Sequence, residues 1–178
     1  MTARYHGFAI ALHWLMAVAI AALFSLGLYM TELELSPTKL KLYAWHKWLG
    51  VSVFMLLWLR LAVRLIKPPP PPLAAPPWQQ RAARFAHIAL YGLMLALPVS
   101  GWLMSSAAGF QTVWFGVLPL PDLVAKSRPL FEALKEVHEA LGNLLALVVA
   151  LHVAGALKHH FIERDATLAR MGLSRSKR

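Results

Sequence analysis

The sequence predicts an all-α fold, an integral membrane four-helix bundle with both termini on the cytoplasmic side. Three observations carry this. Apolar residues make up 58% of the 178-residue chain and charged residues only 15%. Mean hydropathy is +0.55, outside the range of a soluble domain. Four apolar runs, at about residues 8–30, 43–65, 85–105 and 138–161, each come near the ~20 residues that cross a bilayer as helix. Basic residues then fall mostly on one side of the topology that these runs impose. Within hydrocarbon the backbone must pair its own polar groups, so a helical bundle is the available architecture. The length suits one domain over residues 1–178, with no internal repeat.

The first run, residues 8–30, is too long for a secretory leader. It carries His13 and precedes no clear small-x-small cleavage site, so it reads as a retained span. The second, residues 43–65, follows a short polar connection. The connection at 66–84 contains Pro68, Pro69, Pro70, Pro71, Pro72, Pro76 and Pro77. Proline has a fixed φ and no amide donor, so an extended surface strap is expected there. The third run, residues 85–105, leads into a long connection, 106–137, whose Phe110, Trp114 and Phe115 suit the membrane interface. The fourth run, residues 138–161, completes the bundle.

Charge sets the orientation. One side collects Arg4, Arg60, Arg64, Lys67, Arg81, Arg84, Lys158, Arg164, Arg170, Arg175, Lys177 and Arg178 against Glu163 and Asp165. The other side has Lys39, Lys41, Lys47, Lys126, Arg128 and Lys135, balanced by six acids. The net charge of +10 therefore lies on one face, which the positive-inside rule makes cytoplasmic. This sorting assigns the charge to topology, and nucleic acid is not an expected partner. The chain has no cysteine. Disulfides, iron–sulfur clusters and covalent haem attachment are excluded, which leaves histidine as the plausible ligand for a non-covalent haem.

The histidines carry the chemistry. His138 and His152 stand 14 residues apart in one apolar run. On a helix that spacing is about 21 Å and almost four whole turns, so both imidazoles face one way, a membrane depth apart. Alternating span direction puts His13 at the inner depth and His46 at the outer. The matched pairs are His13 with His152 and His46 with His138, each from two helices, as axial ligation of two stacked b haems requires. Interhelical hydrogen bonding is the plainer role for such residues, but it does not account for four matched in depth. His87 lies at inner depth and competes with His13, yet its run has no outer histidine.

Gly50 and Gly142 each follow a ligand by four residues. They leave space for a flat macrocycle, or else serve close helix packing. Gly155, three after His152, has the same ambiguity. Arg60 and Arg64 share the face of His46 at inner depth and suit haem propionates, a bound anion or a basic membrane anchor. His159, seven after His152, suits hydrogen bonding to a quinone carbonyl and proton relay, or a plain interfacial role. Trp78 is placed to close an inner lipid-facing pocket, and His6 is read as solvated.

Several stretches together resemble the bacterial cytochrome b561 family of four-helix di-haem proteins, most closely its superoxide-oxidising member. These are IALHW (residues 10–14), WHKWLG (45–50), ALPVSG (96–101), WFG (114–116), and HEALGN with LHVAGALKHHF between His138 and Phe161, followed by RDATLARM. They span nearly the entire chain. The resemblance implies haem ligation by His13, His46, His138 and His152. It also implies a ubiquinone site on the cytoplasmic side, with His87 and His159 as the matching residues.

Two activities follow as expectations. The first is an oxidoreductase of the bacterial inner membrane. Superoxide outside the membrane would give up one electron and leave as dioxygen, with electrons passing through two haems to ubiquinone. Lys39, Lys41, Lys47, Lys126, Arg128 and Lys135 would steer the anion, provided the six neighbouring acids lie off the entrance. The alternative is an electron-transfer or anchor subunit that relays electrons from a dehydrogenase partner to the quinone pool. Membrane lipid, ubiquinone and superoxide are the expected partners, and a monomer is the working expectation. A transporter is disfavoured, because no broken helix or inverted repeat is visible.

Overall fold

The structure, a computed structural model, describes residues 4–173; Arg175, Lys177 and Arg178 lie outside the described residues. Four helices are long and apolar enough to cross a membrane: α1 (Gly7–Glu32), α2 (Pro37–Ile66), α3 (Pro77–Ala108) and α4 (Arg128–Phe161). A single turn, α5 (Thr167–Arg170), follows. A small antiparallel hairpin pairs β1 (Val113–Trp114) with β2 (Leu118–Pro119) in the connection between α3 and α4. The proline strap lies at the opposite end of the bundle. These two ends are called here the hairpin end and the strap end.

Each helix begins and ends for a local reason. The His6 ring accepts the Phe8 amide at the start of α1. Ser36 Oγ accepts the Lys39 amide at the start of α2, with Pro37 in the first helical position. The helices run beyond the apolar runs, which corrects three expected boundaries. The strap was expected to remain extended through residue 84, but α3 starts at Pro77, where a missing amide costs nothing because first-turn donors have no helical partner. The third connection was expected to run through residue 137, but α4 starts at Arg128. Its first ten residues hold Arg128, Glu132, Lys135 and Glu136, which lower hydropathy without opposing helix. Arg128 pairs with Glu132 one turn on. The first connection shrinks to residues 33–36. α3 is capped by Gly109, whose φ of 78° is left-handed and suits glycine.

Closely packed neighbours are consecutive along the chain: α1 with α2, α2 with α3 and α3 with α4. α4 packs closely against neither α1 nor α2, so a slot separates it from them. The apolar core is small. Met16 and Ala19 of α1 meet Val53 and Leu57 of α2, with Tyr91 and Met94 of α3 against them. Large apolar side chains elsewhere point outward, Val18 at 68%, Leu65 at 83% and Leu151 at 63% exposure. Water would penalise that surface heavily, whereas lipid does not.

Both ends of the bundle are tied down by tryptophan, with serine at the hairpin end and arginine at the strap end. At the hairpin end Trp48 Nε1 donates to Val113 O at 2.7 Å, and Trp102 Nε1 donates to Pro121 O at 2.9 Å. Trp114 Nε1 donates back to Ser52 Oγ at 3.2 Å. At the strap end Trp14 Nε1 donates to Met171 O at 2.9 Å. Buried Arg170 donates to Pro71 O at 2.9 Å and so fastens the C-terminal turn to the strap.

Candidate functional site

The slot beside α4 is crossed by imidazoles in two layers. In the hairpin-end layer His46 of α2 faces His138 of α4, with ring centres 6.3 Å apart and planes at 74°. Ser100 of α3 sets the His138 ring. Ser100 Oγ donates to Leu97 O at 2.9 Å, so it accepts from His138 Nδ1 at 2.9 Å. The Leu97 carbonyl also faces the ring. With its proton fixed on Nδ1, His138 presents Nε2 to the slot. His46 Nδ1 is buried without a well-formed hydrogen bond, although the Leu23 carbonyl faces it. Two glycines give these rings their room. A Cβ at Gly27 would lie 3.3 Å from His46 Cε1, and one at Gly101 would lie 3.1 Å from His138 Cε1.

In the strap-end layer His13 of α1 faces His152 of α4, again with ring centres 6.3 Å apart, planes at 69°. The surroundings are polar and cationic. Arg60 Nη2 donates to His13 Nδ1 at 3.2 Å, and Arg60 Nε donates to Tyr91 Oη at 3.2 Å. Arg60 Nη1 is buried with no hydrogen-bond partner among the described residues. Arg64 lies 6.0 Å over the Tyr91 ring. His87 stands beside His152, with ring centres 5.3 Å apart.

These dimensions suit a metal between opposed imidazoles. Metal–nitrogen bonds of about 2.0 Å place two trans ring centres about 6.3 Å apart. Both layers match. The spacing of His87 to His152 is too short for a metal between them, so His13 is the better partner by geometry. A Cβ at Gly50, Gly142 or Gly155 would meet nothing within 4 Å, so close helix packing does not explain these residues. One contact has to change. Arg60 can only donate, so His13 Nδ1 accepts here, whereas ligation through Nε2 needs a proton on Nδ1. A bound anionic group would draw Arg60 away, and the unpaired Nη1 is ready for one.

Residues 4–173 match the family described as prokaryotic cytochrome b561. The chain belongs to the prokaryotic cytochrome b561 family. It is similar to "Cytochrome b561 homolog 2" of Escherichia coli (strain K12), 36% identical over 170 residues, 94% of this chain and 90% of the relative. "Cytochrome b561 homolog 1" of the same organism is 32% identical over 173 residues, 94% and 96% of the two chains. "Probable superoxide oxidase CybB" of Yersinia pestis is 29% identical over 177 residues, 96% and 97% of the two chains. Cytochrome b561 proteins are multi-pass bacterial membrane proteins that bind b haem and transfer electrons. A b haem is therefore the group to set against the slot, and the histidine pairs, open glycines and unpaired arginine suit it.

The other residues singled out from the sequence of this cytochrome b561 fall in distinct places. His159 lies two turns beyond His152, with its ring held by Glu163 and Asp165. Trp78 is 63% exposed at the start of α3, with Lys158 Nζ 5.5 Å above its ring. Gln79 beside it donates to Glu163 Oε1 at 2.9 Å, which links the start of α3 to the His159 cluster. The hairpin-end cations divide into two groups. Lys39 donates to the Thr31 and Leu33 carbonyls, and Lys47 donates to Ser105 Oγ at 3.2 Å, so both are tied inward. Lys41, Lys126, Arg128 and Lys135 are exposed, Arg128 in its pair with Glu132. Sequence reasoning missed Ser100, Gly101, Gly27 and Tyr91. Ser100 and Gly101 lie within the ALPVSG stretch that carried the family resemblance, while Gly27 and Tyr91 leave no local signal.

Proposed function

We propose that this cytochrome b561 is a di-haem oxidoreductase of the bacterial inner membrane, oxidising superoxide at the hairpin end and reducing ubiquinone at the strap end. The single observation that carries the reading is the repeated 6.3 Å imidazole pairing, on α1 and α4 in one layer and α2 and α4 in the other. His13 and His152 hold the inner haem, and His46 and His138 the outer one. Bound there, b haems supply one-electron transfer between the two layers. Gly50 and Gly142 leave room for the macrocycles, and Arg60 and Arg64 receive propionate charge. His87, His159 and Trp78 border the quinone, and Lys41, Lys126, Arg128 and Lys135 give the hairpin end its accessible positive charge. Lys39 and Lys47 contribute to that field from fixed positions. Both termini face the cytoplasm, as the distribution of Lys and Arg supports. The similarity to a protein named as a probable superoxide oxidase supports the choice of donor.

Two measurements test this. A pyridine haemochrome assay with protein quantification is expected to give two b haems per chain, and His→Ala at 13, 46, 138 or 152 is expected to remove one. Pulse kinetics is expected to show superoxide reducing the haems at near-diffusional rates that fall as salt rises. Haems that stay oxidised under superoxide would overturn the donor assignment. A second reading, an electron-transfer subunit fed by a dehydrogenase partner, is favoured by the inward ties of Lys39 and Lys47, which reduce the steering charge. A copurifying soluble redox subunit would select it.

A further inference from the structure

The strap end holds a side-chain cluster that the histidine pairs do not use. His159 Nδ1 lies 2.7 Å from Glu163 Oε2 and 2.7 Å from Asp165 Oδ2. A carboxylate oxygen only accepts, so Nδ1 carries a proton and Nε2 is the nitrogen left to exchange. The backbone builds this grip. Arg164 takes a left-handed φ of 53°, and the Asp165 amide donates to His159 O at 3.1 Å, which turns the chain back on the ring. Asp165 Oδ1 accepts the Thr167 amide at 2.7 Å. Glu163 Oε1 accepts from Lys158 Nζ and from Gln79 Nε2 of α3. Among the described residues, Glu163 and Asp165 face His159 directly, and Lys158, Gln79 and Thr167 stand behind them.

Both carboxylates stay ionised. The Lys158 hydrogen bond, helped by Gln79, holds Glu163 below the usual carboxylate range. Burial pushes Asp165 up, but hydrogen bonds from Thr167 and His159 outweigh it and hold Asp165 low as well. They act as fixed acceptors and counter-charges, and the mobile proton of the cluster is the one on the imidazole.

We infer that Glu163 and Asp165 hold His159 as the proton donor for quinone reduction, Nδ1 fixed between the carboxylates and Nε2 delivering the proton. This rests on the quinone reading above. Making a quinol from a quinone takes two electrons and two protons. With each electron that arrives at the strap end, a doubly protonated His159 breaks its Nε2–H bond and a quinone oxygen gains an O–H bond. The ring is left neutral, with Nδ1–H in place. Water at the exposed strap end returns the Nε2 proton before the second transfer. Glu163 and Asp165 are positioning residues, since they act through His159.

The test uses the haem-loaded full chain, with haems pre-reduced and reoxidised by a short-chain ubiquinone in stopped flow. Asp165→Asn keeps the Oδ1 acceptor for Thr167 but turns a donor toward Nδ1–H. Reoxidation is expected to slow at least about tenfold, and its pH profile to move to lower pH, because the imidazolium has lost a counter-charge. Glu163→Gln is expected to move both readouts the same way by less, and the double variant by more. Haem content and the binding of the short-chain ubiquinone are expected to hold. A double variant with the wild-type rate and pH profile overturns the inference while leaving the quinone reading intact. Wild-type haems that short-chain ubiquinone does not reoxidise overturn both.

Discussion

Replacing Ser100 with alanine isolates the hydrogen bond that sets His138. Ser100 is only 6% exposed, so water cannot take over its role. Its Oγ accepts from Nδ1 at 2.9 Å. The substitution leaves the α3 backbone unchanged and favours helix. A buried donor stripped of its acceptor costs about 1–3 kcal/mol. The Leu97 carbonyl also faces the ring and remains available, which puts the expected cost at the low end, about 1 kcal/mol. In the proposed function, that corresponds to about a fivefold loss of affinity for the haem of the hairpin-end layer. The same bond makes the imidazole a stronger donor and so favours the oxidised iron. Losing it should raise the potential of that haem by at most about 40 mV, since one electron gives 59 mV per tenfold. A redox titration of the purified protein, with haem dissociation followed by transfer to a scavenger, reads both quantities. An unchanged potential and off-rate, with two haems retained, would refute the argument that Ser100 fixes the ring.

Gly101→Ala puts a Cβ 3.1 Å from His138 Cε1 and Gly27→Ala puts one 3.3 Å from His46 Cε1; both should lower the haem-to-protein ratio toward one, Gly101→Ala the more, as measured by pyridine haemochrome. Arg60→Leu removes the cation beside His13 and should lower the potential of the strap-end haem by tens of mV while leaving the other unchanged, as read by redox titration. The C-terminal turn should loosen in acid. Glu163 and Asp165 are held below their ordinary range, so their stabilisation is present above about pH 4 and is lost as pH falls through the lowered values. Hydrogen exchange across residues 159–170 should quicken there before the helix centres do.

Much of this arrangement is legible in the sequence, because depth along a helix follows from counting. His138 and His152 must share a face, and alternating span direction fixes which helix offers a partner at each depth. The rotation of a neighbouring helix is not encoded so simply. That Ser100 of α3, and not Ser105 or Ser106, meets His138 depends on how α3 packs against α4. The same holds for Gly27 and Gly101, which look like any small residue in an apolar run until the ring beside them is seen. Hydropathy also misplaced the helix ends, since it registers where hydrocarbon stops while helices continue to a cap. Lys39 and Lys47 read as free cations because a sequence does not show that carbonyls at a helix end, or a serine hydroxyl on a neighbouring helix, will take up their donors. Glu163 and Asp165 counted only as two acids on a basic face. The left-handed Arg164 between them turns both toward His159.

The two histidine layers differ in a way that gives the slot a direction. At the hairpin end the histidine pair meets uncharged groups, a serine hydroxyl, backbone carbonyls and two glycines that leave little freedom. At the strap end the pair meets Arg60 directly, with Arg64 and His87 close by. Fixed positive charge stabilises an added electron, and it does so strongly where water is excluded. In the proposed function an electron entering at the hairpin end therefore moves toward the layer that holds it better. Just beyond that layer lies the His159 cluster, where a proton can accompany each electron onto the acceptor. In the proposed function, separation of a rigid entry layer, whose imidazoles meet uncharged groups, from a cationic, proton-supplied exit layer follows from residues on all four helices, and it serves the same direction of flow for superoxide or for a protein donor.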